Sequence, residues 1–193
     1  MIDVDSFWQL CDDAYCCFRF QQAIETHESL EEIGKSRDAH AILRINSVFI
    51  DWTLLQISRL HDSENFSKKG IVRKNLCISF FRNPKNWPLN TQSDSGFFGK
   101  IVALCDSLDS RASHLTSARN WLLAHNDREA WRIGDSLGEC PEHTYEAYFK
   151  DLQSFVDLLI GAFSPGEFRP FVQTSGNDMA GLLTRLMKAN RNP

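Results

Sequence analysis

The residues best suited to chemistry in this 193-residue chain are an arginine and a histidine close together in sequence. Arg119 and His125 are separated by five residues, within a segment that reads Ala-Arg-Asn-Trp-Leu-Leu-Ala-His-Asn-Asp. An arginine remains charged and binds phosphate oxygens through its planar fork, whereas a histidine gains or loses a proton near neutral pH. The pair can therefore bind an anion and transfer a proton.

Other chemical motifs are missing from the sequence. There is no glycine-rich phosphate loop, nucleophile elbow, HExxH pair or EF-hand run. Cys140 and His143 lack a second pair of metal ligands, so we expect no metal and no cofactor. The six cysteines form no CxxC pair, the N-terminus is acidic, and the apolar runs are interrupted. These features predict a cytoplasmic protein with reduced thiols and no membrane segment.

Charge is distributed unevenly along the chain. The formal net charge is −7 over residues 1–64, +6 over residues 65–132 and −3 over residues 133–193. Residues 65–93 contain no acid, and their cations alternate with aromatic residues: Lys68, Lys69, Arg73, Lys74, Arg82 and Lys85 with Phe66, Phe80, Phe81 and Trp87. This mixture suits a surface that binds a polyanion and stacks on unpaired bases. The alternative is a solvated basic loop over core aromatic residues.

The elements that must position these residues are helices. Apolar residues at three- and four-residue steps predict helices over residues 6–26, 37–60, 97–125, 142–163 and 178–189. The third of these is either continuous or broken near Ser110. In the second, the row expected to face the core is Ile42, Ile45, Phe49, Trp52 and Leu55. Residues 63–95 are expected to be irregular, with a short helix near 72–81.

This pattern predicts an all-α fold, because no segment alternates convincingly with a period of two. We expect an up-and-down bundle of four to five helices with an irregular insertion around residues 63–95 and a C-terminal helix. Residues 1–193 are interpreted as a single helical domain. Its core spans about residues 5–163, and residues 164–193 form a C-terminal extension.

The segment around Arg119 resembles a known family signature. The pattern Arg-Asn-x-x-x-Ala-His at the end of a bundle helix is similar to that of HEPN domains, whose active ribonucleases carry Arg, four to six residues, and His. A preceding helix that closes with Ile57-Ser58-Arg59-Leu60-His61-Asp62 resembles the abortive-infection U-type branch. The resemblance covers roughly residues 5–163. It implies an HEPN-like bundle and a metal-independent endoribonuclease that acts in phage defence or a toxin–antitoxin system.

The residue types fit that chemistry. RNA carries its own nucleophile, the 2′-hydroxyl, so cleavage needs only a base, an acid and a cation that stabilises the transition state. On a straight helix, six residues place two side chains about 120° apart and about 9 Å apart along the axis. One copy cannot readily hold one phosphate with both Arg119 and His125. The resemblance implies a homodimer, in which a shared cleft would combine two copies of each residue.

Three further residues are candidates for supporting roles. Asn120 either orients the histidine or caps the helix locally, and Asp127 either fixes the imidazole tautomer or lies in a solvated turn. Arg59 follows Trp52 by seven residues on the row expected to be buried. It therefore either forms a buried ion pair with Asp62 or Asp51, or supports the cleft.

RNA is the expected partner. The candidate RNA-binding residues are Lys68, Lys69, Arg73, Lys74 and Arg128. Some HEPN toxins carry a modified tyrosine two residues after the histidine, but this chain has Asp127 there, so control by AMP transfer is not supported. Another antitoxin, a phage trigger or no regulator all stay open. The rival function is a non-catalytic helical module that binds RNA, a nucleotide or a protein.

Overall fold

The computed structural model describes residues 4–35, 39–68, 71–92, 94–124, 143–172 and 175–191. Five long helices dominate these residues and confirm the all-α class. They are α1 (Val4–Glu25), α3 (Ala39–Leu60), α6 (Ser95–Ala124), α7 (Thr144–Phe163) and α8 (Ser175–Arg191), with the short helices α2 (Leu30–Lys35), α4 (Ile78–Phe81) and α5 (Leu89–Gln92) between them. A 3-10 helix spans Pro84–Asn86.

The region expected to be irregular contains regular structure. Strands β1 (Asn65–Lys68) and β2 (Ile71–Lys74) form an antiparallel hairpin, in which Asn65 pairs with Lys74 and Lys68 pairs with Ile71. The short helix predicted over residues 72–81 is confined to α4, at the end of that range. The hairpin escaped detection because only three of its eight strand residues are apolar, which hides the alternation that indicates a strand.

Helix α6 is continuous through Ser110 and contains 30 residues. At its start, the Asp94 carboxylate accepts a hydrogen bond from the Phe97 backbone N–H over 2.9 Å, which satisfies a donor that the helix itself leaves unpaired. Of the other long helices, α8 begins three residues earlier than predicted. Helix α2 lies between the first two predicted helices, where the sequence predicts no helix.

The chain divides into two compact units. The first combines Met1–Cys11 with Leu54–Pro170. Its core contains an edge-to-face aromatic cluster in which the Phe81 ring centroid lies 5.1 Å from that of Phe7 and 5.8 Å from that of Trp87. The Trp87 indole N–H donates to the Phe81 carbonyl over 2.7 Å, so this buried ring has its polar atom paired.

The second unit combines Asp12–Thr53 with Phe171–Pro193. Its core is aliphatic and consists of Ile24, Ile33, Ile42, Leu183 and Met187. The Asp12 carboxylate accepts the Val172 backbone N–H over 2.7 Å, and burial raises the pKa of Asp12. The interpretation of residues 1–193 as one domain, with a core at about 5–163 and an extension at 164–193, stays a prediction.

Candidate functional site

Arg119, the first residue of the predicted catalytic pair, lies in the C-terminal part of α6. The α6 backbone includes Arg119 and Asn120 and ends at Ala124, but the side chains of both residues are outside the part that the structure describes. His125, Asp127 and Arg128 also lie outside the described residues. Ala124, the last residue of the helix, directly precedes His125 in sequence.

Position 119 falls in line with the buried row of α6. The buried residues of this helix recur at steps of four and three, and they are Ile101, Cys105, Leu108, Ala112 and Leu115. A further step of four reaches residue 119, which places its backbone on the inward line of the helix. An arginine is rarely fully buried in a core unless its charge is paired.

Helix α6 is held against α7 by polar contacts as well as by its apolar row. Asp151 of α7 accepts hydrogen bonds from the Ser107 hydroxyl over 2.6 Å and from Arg111 Nε over 2.8 Å. Both donors lie on α6, one turn apart. Because a single carboxylate oxygen accepts both, the rotation of α6 about its own axis is constrained.

The most concentrated group of titratable side chains in the described residues surrounds His61, just beyond the end of α3. His61 Nδ1 lies 2.7 Å from Asp109 Oδ1 on α6, and its Nε2 lies 3.1 Å from the Tyr148 hydroxyl on α7. Arg82, just after α4, binds Asp109 with one guanidinium nitrogen and Asp106 with another. We call these five residues the His61 network.

The protonation of the His61 network follows from burial. The His61 side chain is 10% exposed, and this burial lowers the pKa of His61, although Asp109 opposes the shift. A carboxylate only accepts hydrogen bonds, so Nδ1 donates to Asp109, and Nε2 of the neutral ring accepts the Tyr148 proton. Tyr148 is fully buried, which raises its pKa well above the ordinary value. At neutral pH the network is a satisfied chain of hydrogen bonds.

The His61 network is better suited to positioning than to catalysis. Both nitrogens of the His61 ring are occupied, so the ring has no free nitrogen to accept a proton from a substrate. The network joins the end of α3 to α6 and α7, the two helices linked by Asp151. It therefore fixes the helix whose far end carries Arg119.

Comparison with protein families identifies the family of this chain. The sequence model of AbiU2, an HEPN family, matches residues 4–173 of this chain. The chain belongs to the AbiU2 family of HEPN domains. No curated protein and no solved structure matches it. Membership indicates a nuclease or abortive-infection-related role, and HEPN domains often dimerise and bind RNA.

In this AbiU2 domain the predicted burial of Arg59 is wrong. Its side chain is exposed, and Nη1 donates to Gln56 Oε1 over 3.1 Å. Asp51 and Asp62, the carboxylates expected to pair with it in the core, are exposed too. The reason is that the buried face of this half of α3 contains Leu54, Ile57 and Leu60 instead of the row through Trp52. The supporting role of Arg59 stays a prediction.

The basic segment of the AbiU2 domain separates into two parts. Phe80, Phe81 and Trp87 are buried, so these three aromatic residues are core and do not stack on bases. Of the cations, Arg82 is committed to Asp106 and Asp109. The alternative of core aromatics beneath a basic surface is therefore correct for these residues.

Of the other basic residues, Lys85 is exposed in the 3-10 helix, and the rest belong to the hairpin segment. Lys68 lies in β1, and Arg73 and Lys74 lie in β2, but their side chains are outside the described part of the structure. Lys69, between the strands, is also outside it. The assignment of these four residues and of Arg128 to RNA binding stays a prediction.

Sequence reasoning missed the His61 network. His61 lies in the segment that resembles the U-type branch, but the sequence assigns no role to His61 and does not single out Tyr148. The sequence signal is a histidine at a predicted helix end, followed directly by Asp62. Among the described residues, no cluster of His, Cys, Asp and Glu is arranged to hold a metal, and no helix is long and apolar enough to cross a membrane.

Proposed function

We propose that this AbiU2 domain is a metal-independent endoribonuclease that cleaves single-stranded RNA, with Arg119 and His125 as its catalytic residues. The observation that carries the proposal is family membership over residues 4–173 combined with the Arg-Asn-x-x-x-Ala-His pattern. The continuous α6 supports it, because the helix backbone carries position 119 in line with its buried row.

In the proposed reaction the RNA 2′-hydroxyl attacks the adjacent phosphorus, and the bond to the 5′-oxygen breaks. His125 takes the hydroxyl proton or delivers a proton to the leaving 5′-oxygen, and Arg119 binds the phosphate oxygens as negative charge builds. The products are a 2′,3′-cyclic phosphate and a free 5′-hydroxyl. A homodimer supplies both proton-transfer roles from two histidines in one cleft.

The deciding experiment is incubation of purified protein with total RNA in excess EDTA. The parent should cleave, and His125→Ala should not. His114→Ala is the matched control, because His114 is an exposed histidine of α6, and it should cleave like the parent. Equal cleavage by His125→Ala and the parent would contradict the proposal and favour a module that only binds RNA, a nucleotide or a protein.

A further inference from the structure

Helix α3 carries a row of exposed apolar residues. Ile45 is 47% exposed, Val48 56% and Trp52 45%, and Ala41 is exposed as well. The steps between Ala41, Ile45, Val48 and Trp52 are four, three and four residues, so all four lie along one narrow line on the helix. The row is about 17 Å long.

This row is distinct from the face that residues 39–53 of α3 pack into the second unit. Ile42 is buried with the aliphatic core, Phe49 packs partly against that core, and Thr53 is buried. Isolated apolar residues on a surface are ordinary, but a contiguous row that includes a tryptophan is typical of an interface. The alternating steps of three and four match the seam of a pair of helices packed side by side.

We propose that this row is a self-association surface, on which α3 of a second copy of the chain packs antiparallel around a two-fold axis. A two-fold contact is self-complementary, so every residue pair occurs twice. The register that best matches large residues with small ones sets Trp52 opposite Ala41 of the second copy and Ile45 opposite Val48.

Charge supports the same register. Arg44 and Asp51 are exposed and flank one side of the row. In the antiparallel register Arg44 faces Asp51 of the second copy, and the symmetry gives two opposite-charge pairs at the rim. In a parallel pair the same positions face Phe49 and Gln56, which offer no charge. Complementary rim charges therefore favour a second copy in the antiparallel orientation.

A role of this association in RNA cleavage rests on the proposed function. The existence of the surface does not, because association is measured without RNA. A dimer that the α3 variants weaken but that fails to cleave RNA would support the surface and contradict the ribonuclease. A protein that cleaves RNA as a monomer would contradict the surface.

The test is an exchange of charge across the two-fold axis, followed by sedimentation equilibrium at low salt. Arg44→Glu sets two carboxylates against each other at each rim pair, and Asp51→Arg sets two guanidinium groups together. Each variant alone should therefore associate at least tenfold more weakly than the parent. An equimolar mixture should associate like the parent, because each rim pair of the mixed dimer joins a carboxylate of one variant to a guanidinium group of the other. Lys188→Glu makes the same charge change at an exposed site on α8 and should have no effect.

A separate substitution tests the apolar row. Trp52→Ala should weaken association by at least tenfold, whereas Phe168→Ala, which removes a ring that is 74% exposed, should leave it unchanged. Circular dichroism should show both variants folded, since neither residue is buried. A parent that stays monomeric at tens of micromolar, or single charge variants that associate like the parent, would overturn the proposal. Failure of the mixture to associate would exclude the antiparallel register.

Discussion

The Tyr148 hydroxyl lies 3.1 Å from His61 Nε2, although 87 residues separate the two in sequence. One ring nitrogen of His61 is thus saturated by a fully buried phenol, and the other by Asp109. With both ring nitrogens bonded, His61 stabilises the fold and is not available to a substrate. Two measurements test this role.

Replacing Tyr148 with Phe should destabilise the protein by about 1–3 kcal/mol, because the buried Nε2 loses its hydrogen-bond donor. Urea unfolding measures the change. In a double-mutant cycle with His61→Ala, most of the loss should disappear once the imidazole is gone. Additive effects of the two substitutions would show that the hydroxyl and the ring do not interact.

Stability should decline as pH falls below about 6.5, the ordinary pKa of histidine, in a way that depends on His61. Burial lowers the pKa of His61 in the folded protein, so just below that pH the unfolded chain binds the proton more readily. The free energy of unfolding therefore falls with decreasing pH until the folded-state pKa is also passed. His61→Asn should lack this component of the slope between pH 7 and pH 5. Identical slopes in the parent and the variant would contradict the prediction.

Arg119→Ala should reduce the rate of RNA cleavage by about 10²–10³-fold, since it removes the cation that stabilises the transition state. Lys100→Ala, at an exposed position on the same helix, is the matched control and should keep the parent rate. Single-turnover cleavage in EDTA measures both. A requirement for added Mg²⁺ or Mn²⁺ would instead indicate a metal-dependent mechanism.

Mixing Arg119→Ala and His125→Ala chains should restore part of the activity. A shared cleft in the mixed dimer combines the arginine of one chain with the histidine of the other. Differently tagged chains allow the mixed dimer to be isolated and assayed alone. An inactive mixed dimer would mean that each cleft requires all four groups.

Changing Lys68, Lys69, Arg73 and Lys74 to Gln should weaken RNA binding and flatten its dependence on salt. The slope of log affinity against log salt falls by about 0.7 for each phosphate of a single strand that the protein no longer neutralises. The titration is run in the His125→Ala background, so that the RNA survives. Lys150→Gln with Lys188→Gln, two exposed lysines outside the basic segment, is the control. An unchanged slope in the quadruple variant would assign the hairpin cations to a solvated surface.

The helices could be predicted from sequence, but the side of α3 that is buried could not. Apolar residues occur on two sides of this helix: Ile45 and Trp52 are exposed, whereas Leu54, Ile57 and Leu60 are buried. Periodicity reveals an apolar face, yet when two faces qualify only tertiary packing selects the inner one. The error about Arg59 follows directly from choosing the wrong face.

For a similar reason, the sequence reveals Arg119 but not the His61 network. A short motif is visible in the sequence, because its residues lie close together along the chain. The contacts from His61 to Asp109 and Tyr148 span 48 and 87 residues, and no local pattern encodes them. Likewise, the aromatic residues of the basic segment look like a stacking surface until Phe81 and Trp87 are seen packed on Phe7 and Phe98.

The His61 network also makes the helices intolerant of sliding. Apolar rows at steps of three and four match themselves again after a shift of one helical turn, about 5.4 Å, so an apolar interface alone permits neighbouring alignments. A shift of that size between α6 and α7 would leave the Asp151 carboxylate without its two donors, and it would carry Asp109 away from His61. Each misaligned state would then contain unpaired polar groups in a partly buried place. The network thus fixes the position of α6 along its own axis. Substitutions inside it should lower the rate of RNA cleavage before they unfold the protein.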